Sequence, residues 1–376
     1  MINTVDYQVN LYYNGTIIGN CRKLAQNLVW TRRRTKMGVD SIDFTINDVL
    51  LAQWLEERGT SLSEILKPYA LECRIVRDGT PILGGFLATM PSYEPRGTSA
   101  DLQMRFDGYM NFLAGVYIYP IGTVTGRMGA LAKQYIDMAN TRASNAGKAF
   151  GLVSGTISTM NTITHTFDNY KTVKDWLGDR CDNTTGAGPF DVYFHPDKTY
   201  DVIKDSDFGT VITDWVANYP ADINATSATS IKAPEISSFA SKVIALGAGE
   251  VSAVAAENTV IKSEQTNSTA VTTYGYKEEL VQESSITQQT TLNQTALTEL
   301  YIVSNPIWEP QITLDGRLIA PKPSGAHKIW IGDTITIDNA EDLTGMTNGQ
   351  FRINELSVRV SAAGDEIITP TLERVV

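Results

Sequence analysis

Short apolar–polar alternations, each stopped by a two-residue turn signal, recur at both ends of this chain, a pattern that fits antiparallel β structure and little else. Residues 7–13 alternate up to Asn14-Gly15, a pair suited to a tight hairpin turn, and Thr16-Ile17-Ile18 resumes the run. Residues 28–30, 41–46, 70–77, 81–90 and 101–106 repeat the pattern around Asp78-Gly79 and Gly108. Asn47-Asp48 caps a short predicted helix over 49–58 that Gly59 closes. Residues 1–108 are therefore expected to form one small antiparallel barrel or sandwich. The last 65 residues have the same texture: 311–314, Asp315-Gly316, 328–331, Gly332-Asp333, 334–337, 350–360, Gly364-Asp365 and 366–375.

Between these ends the texture is mixed. Residues 126–140 place Met128, Leu131, Tyr135, Ile136 and Met138 at helical spacing, and 171–181 place Val173, Trp176 and Leu177 on one face. Gly186-Ala187-Gly188 then leads to a strand over 190–194, the turn His195-Pro196-Asp197-Lys198 and a strand over 199–203. Residues 224–230, small and polar, read as a linker, and 241–246 as an apolar strand. The Ser/Thr/Gln/Asn-rich stretch 250–291 reads as a flexible excursion or as hairpins at a subunit surface. A helix is expected over 292–303, stopped by Asn305-Pro306. The fold class is mainly β with α/β insertions: two similar β-barrel-like domains plus a mixed α/β domain. The expected domains are 1–108, an α/β insert over 109–233, and a second β domain over 234–376 that carries the polar excursion and helix at 250–305.

At 376 residues the chain can bury ample core without covalent staples. Cys21, Cys73 and Cys181 lack CxxC spacing and are expected to be buried thiols. Residues 1–108 are balanced in charge, so the formal charge of −11 comes entirely from the remainder. An acidic excess argues against a grip on phosphates, which needs clustered Lys and Arg, but suits a passage through which DNA slides. No stretch reaches a membrane-spanning length and the N-terminus has no leader pattern, so assembly in the cytoplasm without membrane insertion is expected.

The motifs that anchor common chemistries are missing from the sequence: there is no GxSxG, GxxxxGK[ST] or HExxH. His165, His195 and His327 stand alone, so no metal site, cofactor or catalytic residue is expected. Acids between Asp168 and Asp214 are plentiful, but any acidic surface supplies such pairs. Arg32-Arg33-Arg34-Thr35-Lys36 is the one dense basic cluster. It reads either as a solvated loop or as an interface at which Arg32, Arg33 and Arg34 meet carboxylates of a partner subunit. Tyr109, Phe112, Tyr117 and Tyr119 cluster before Pro120, mostly as packing at a domain junction, with any exposed members better suited to a protein interface than to a cofactor.

One internal echo bears on the whole chain. A Gly-led strand over 85–93, a turn near Gly97 and a return over 102–106 are mirrored by 349–360, Gly364 and 367–372, through a duplicated domain or by chance. In pattern and order the chain resembles the tail hub proteins of phages, the baseplate hub of contractile tails and the hub-like minor tail proteins of siphophages. The resemblance rests on Trp30-Thr31-Arg32-Arg33, Phe44-Thr45-Ile46, the run from Arg77-Asp78-Gly79 to Gly85-Phe86, and Gly188-Pro189-Phe190-Asp191-Val192-Tyr193-Phe194. It continues through the run from Val243 to Gly249-Glu250, Ser304-Asn305-Pro306, Leu314-Asp315-Gly316 and Ile331-Gly332-Asp333-Thr334.

The resemblance implies a virion structural protein, not an enzyme. Its two β domains per subunit would let a homotrimer present six similar surfaces to a sixfold tail tube. The implied neighbours are a tube or distal tail protein, the tape measure protein, and tip or receptor-binding proteins. DNA would meet the ring only by passing through its lumen during genome ejection. Peptidase or receptor-binding domains that extend many relatives are expected on another protein here. Other readings are a receptor- or carbohydrate-binding tail module, the hub of a contractile injection system, and a cell-wall hydrolase.

Overall fold

In a computed structural model the chain is mainly β with α/β insertions. The structure describes residues 5–96, 99–119, 122–166, 170–181, 189–219, 230–232, 239–249, 259–284, 286–304, 309–315, 329–339 and 349–375. His327, the Gly186-Ala187-Gly188 run, the 224–229 linker, Asn305-Pro306, Gly316 and residues 250–258 lie outside the described residues. By contact the chain forms two compact units, one from residues 1–230 and 310–376, the other from residues 231–309.

The larger unit is built on one 13-stranded sheet. Ten of its strands run, in spatial order, Val211–Tyr219, Thr334–Asn339, Gly349–Val360, Gln26–Arg33, Ser41–Asn47, Ser99–Gly108, Thr80–Leu87, Leu71–Arg77, Tyr7–Tyr13 and Thr16–Asn20, and Ser92–Arg96, Leu314–Asp315 and Glu366–Arg374 branch from this path. The two ends of the chain meet in this sheet: Gly349–Val360 pairs antiparallel with Gln26–Arg33, with Val358 opposite Trp30 and Glu355 opposite Arg33. The core follows the alternation read from the sequence, because every second residue of a strand faces the same way. Val9, Leu28, Trp30, Ile75, Phe351, Leu356 and Val358 are all fully buried. At the join Trp30 lies 6.2 Å from Trp330 and donates its indole N–H to the Tyr7 hydroxyl at 3.1 Å.

The N-terminal half of the internal echo is interrupted. The expected strand over 85–93 splits into Thr80–Leu87 and Ser92–Arg96, because Pro91 has no N–H to continue the ladder. Its C-terminal counterpart Gly349–Val360 is continuous over 12 residues and pairs with Glu366–Arg374 from Phe351 opposite Arg374 to Val360 opposite Glu366.

A second core in the same unit belongs to the α/β insert. Helices Met128–Asn145 and Val173–Cys181 pack with the sheet of Val153–Ile157, Thr199–Lys204 and Phe190–Phe194 around Leu131, Ile136, Trp176, Phe190 and Tyr200. The insert sits against the large sheet at Gly84, where a Cβ would come within 2.7 Å of the Tyr109 hydroxyl, so only glycine lets that ring lie on the strand. The second core takes in Phe86 as well as Tyr109 and later residues, and residues 310–376 belong to the same compact unit as residues 1–230.

The smaller unit has a three-stranded sheet, Lys262–Thr266, Lys242–Leu246 and Glu278–Gln282, whose outer pairs are antiparallel and parallel respectively. Helix Gln289–Val303 covers one face through Leu292, Ala296 and Leu300 against Val243 and Ala245. Within 250–291, expected to be a flexible excursion or surface hairpins, the described residues form strand Lys262–Thr266, helix Ser268–Tyr274 and strand Glu278–Gln282. The helix starts because the Asn267 side chain accepts from the Ala270 N–H and a parallel return strand needs a crossover.

Candidate functional site

The basic run lies where three stretches of chain meet. Strand Gln26–Arg33 ends, the 3-10 turn Thr35–Met37 follows, and Gly38 at φ 106° reverses the chain so that Asp40 returns beside it. Arg32 donates to Asp40 Oδ2 and to the Phe194 carbonyl, both at 2.6 Å, with its guanidinium 4.1 Å from the Tyr193 ring centre. Arg33 donates to Glu355 Oε2 at 2.5 Å and to the Val39 carbonyl at 2.6 Å.

Arg34 is the centre of the arrangement. Its Nε and Nη2 donate to Asp191 Oδ2 at 3.0 and 2.6 Å, Nη1 donates to Asn354 Oδ1 at 3.2 Å, and Nη2 also reaches Asp205. Thr35 adds a reciprocal pair, its N–H donating to Asp191 Oδ1 at 3.0 Å and its hydroxyl accepting the Val192 N–H at 2.7 Å. From the far side Arg352 donates to Asp205 Oδ2 at 2.5 Å and to the Phe208 carbonyl at 2.5 Å. Burial acts to raise the Asp205 carboxyl, but Arg34 and Arg352 outweigh it and hold it below the ordinary carboxylate range.

Arg32 and Arg34 are 1% and 4% exposed. Carboxylates of the chain itself meet all three arginines: Asp40 at Arg32, Glu355 at Arg33, and Asp191 and Asp205 at Arg34. Arg33, with 23% of its side chain exposed, is the member left within reach of another surface. A buried guanidinium is tolerable only when most of its donors are met, and here acceptors come from the first β segment, the insert and the last hairpin at once, with Arg32 Nε left without one among the described residues. The cluster is a three-way tie. Its charged ends are largely committed to one another.

A second tie joins the same chain ends. Arg77 donates from Nε and Nη2 to the two oxygens of Glu366, each at 2.8 Å, and the Tyr7 hydroxyl donates to the same carboxylate, whose side chain is fully buried. The sequence showed the Arg run but not its distant partners: Asp40 lies 8 residues from Arg32, whereas Asp191 and Glu355 lie 157 and 322 residues away. One readable sign was Asp191, an acid set inside the apolar strand Phe190–Phe194, where only a buried cation can satisfy it.

The remaining candidates separate cleanly. His195 Nε2 is 2.7 Å from Asp201 Oδ2, an arrangement that orients the turn between two strands, and the His165 ring meets Arg180 Nη2 at 2.7 Å. Among the described residues no group of three or more His, Cys, Asp or Glu is placed to hold a metal. Cys21, Cys73 and Cys181 are buried, free thiols. Of the aromatic cluster, Tyr109 and Phe112 are packed inside, whereas Tyr117 and Tyr119 are each 52% exposed. No described helix is long and apolar enough to cross a membrane.

No family model matches the sequence, and no curated protein matches it either. Solved structures do. A tail protein from Neisseria meningitidis MC58 superposes with a TM-score of 0.63 at 14% identity, covering 98% of this chain and 96% of that one. The chain has the phage tail-protein fold. The 43 kDa tail protein of prophage MuSo2 from Shewanella oneidensis shares the tail-protein fold at a TM-score of 0.63 and 13% identity, over 97% and 96% of the two chains. So does prophage tail protein gp18 from Listeria monocytogenes EGD-e, at 0.56 and 9%, over 97% and 94%.

Proposed function

We propose that this chain is a structural hub subunit of a phage-type tail, forming a ring at the tail tip that closes the tube, seats the tip proteins and opens for genome delivery. The observation that carries this reading is the likeness, end to end, to tail proteins of nearly equal length: both compact units fall within the matched region. The paired ends of the chain support it further, since a ring subunit must hold its two β regions at fixed spacing. On this reading 1–108 and the C-terminal strands are matched β modules, three copies give six similar surfaces, and no reaction is assigned. The tube or distal tail protein, the tape measure protein and receptor-binding proteins are the neighbours. Arg33 and the 231–309 unit are the places where contact with them or with a second copy is expected.

The test is the molar mass of the purified chain by light scattering across concentration, together with negative-stain images. A trimer with a central hole is expected. A monomer at every concentration that also fails to close a ring when mixed with tail tubes overturns the reading.

A further inference from the structure

One open cavity of the larger unit, lined mostly by the α/β insert and on one side by Thr35, Lys36 and Gly38, has features that the tail role does not use. The segments on either side of it are joined by an antiparallel bridge between Tyr117 and Thr172. Ile118 donates to the Lys171 carbonyl and Val173 to the Val116 carbonyl, both at 2.8 Å. Tyr170 lies two residues before Thr172, which puts it on the same face as Tyr117 and diagonal to it. Tyr170 is 64% and Tyr117 52% exposed, and neither hydroxyl has a partner among the described residues. Arg142 pins the tyrosine backbone by donating to the Tyr117 carbonyl at 2.6 Å, and its guanidinium stacks 3.6 Å from the Tyr119 ring centre. The Tyr117 backbone is thus held in place, and the Tyr117 and Tyr170 rings are both offered to solvent.

They border a cavity of about 570 Å³ walled by helix Val173–Cys181, inside the range of roughly 300–1,000 Å³ usual for small-molecule sites. On that wall the Asp175 carboxylate has no partner among the described residues, and Lys171 pairs with Asp179. Between them stands Gly178, where an added Cβ would meet nothing within 4 Å. A glycine inside a helix weakens it, and here no neighbouring atom demands one. What it provides is bare helix backbone facing the cavity.

We infer that this cavity binds a neutral oligosaccharide, with Tyr117 and Tyr170 stacking on sugar rings and Asp175 accepting from hydroxyls beside the bare backbone at Gly178. A pyranose ring offers an apolar C–H face to an aromatic ring and a rim of hydroxyls to carboxylates and ammonium groups, and this wall supplies both. A protein partner fits less well, because Lys and Asp are depleted from the cores of protein interfaces and this wall is rich in both. Nucleic acid fits less well again, since the cavity mixes both signs of charge and the chain is acidic.

The test titrates the full-length chain with N-acetylglucosamine trisaccharide, maltotriose and a β-galactose trisaccharide, read by calorimetry. Saturable binding of at least one is expected, weakened about tenfold by Tyr170→Ala and lost in Tyr117→Ala/Tyr170→Ala. Gly178→Ala separates site from scaffold: it raises the melting temperature, as a better helix former should, while weakening binding. Tyr276→Ala, an exposed tyrosine of the smaller unit, leaves binding unchanged. The inference is overturned if no sugar of the panel binds, if binding survives the double substitution, or if the tyrosines prove necessary only for capture of a tail protein. Because the site lies within one subunit, its outcome is independent of whether a ring forms.

Discussion

The two compact units solve the same problem with different means. The larger unit buries whole ladders of Ile, Leu, Val and Phe, and then adds the Arg34 and Arg77 ties inside that core. The smaller rests on a core of Val243, Ala245, Leu292, Ala296 and Leu300, two of them alanine, and keeps its ion pairs outside, with Lys242 between Glu264 and Glu278. Burying a large aliphatic side chain is worth about 1.5–3 kcal/mol, so the smaller unit has few such contributions to set against the entropy of its ordered residues. The contrast teaches where cooperativity lies. Charges inside the sheet make distant segments depend on one another, whereas charges on the smaller unit only decorate it.

The sharpest way to break the comparison is to remove one half of a buried tie. Arg77→Ala leaves the Glu366 carboxylate buried and unpaired, and is expected to cost about 3–5 kcal/mol in chemical denaturation. Unfolding should stay cooperative across the large sheet. Next, Leu292→Ala is expected to cost about 2–4 kcal/mol, and hydrogen exchange should rise over 242–246 while the amides of Gln26–Arg33 stay protected.

Acid supplies a third, smaller effect. Asp205 is held below its unfolded pKa, so its contribution is fully present above about pH 4, the unfolded value, and is lost as pH falls through the folded one. Below pH 4 the contacts of Asp205 with Arg34 and Arg352 should loosen. Asp205→Asn should lower stability at neutral pH and flatten the acid limb of a pH–stability curve. The smallest effect is expected at Lys242→Met in the exposed cluster: no measurable change in melting temperature at high salt, where such pairs are screened.

Much of the fold was legible because both periodicities are local. The alternation over 7–13 and 350–360 and the helical spacing over 128–138 report their own burial, and the structure places strands and a helix there. Helix Ser268–Tyr274 was hidden because Ser-Thr-Ala-Val-Thr-Thr-Tyr carries almost no apolar stripe; a crossover and one Asn cap decide it. The candidate site was half legible. A run of three arginines is visible in any reading, but its meaning depends on Asp191, Asp205 and Glu355, which only the folded chain brings together. Exposure was equally out of reach: Tyr109 and Tyr117 belong to one aromatic cluster in sequence and to opposite environments in space.

The ladder between Gln26–Arg33 and Gly349–Val360 also bears on biosynthesis. Arg33 leaves the ribosome 322 residues ahead of the glutamate that will neutralise it. Until translation reaches that hairpin, the nascent N-terminal strands carry an open edge and unmet buried charge, a state prone to off-pathway pairing. A chain that lacks Gly349–Val360 should therefore aggregate more readily than one that contains it.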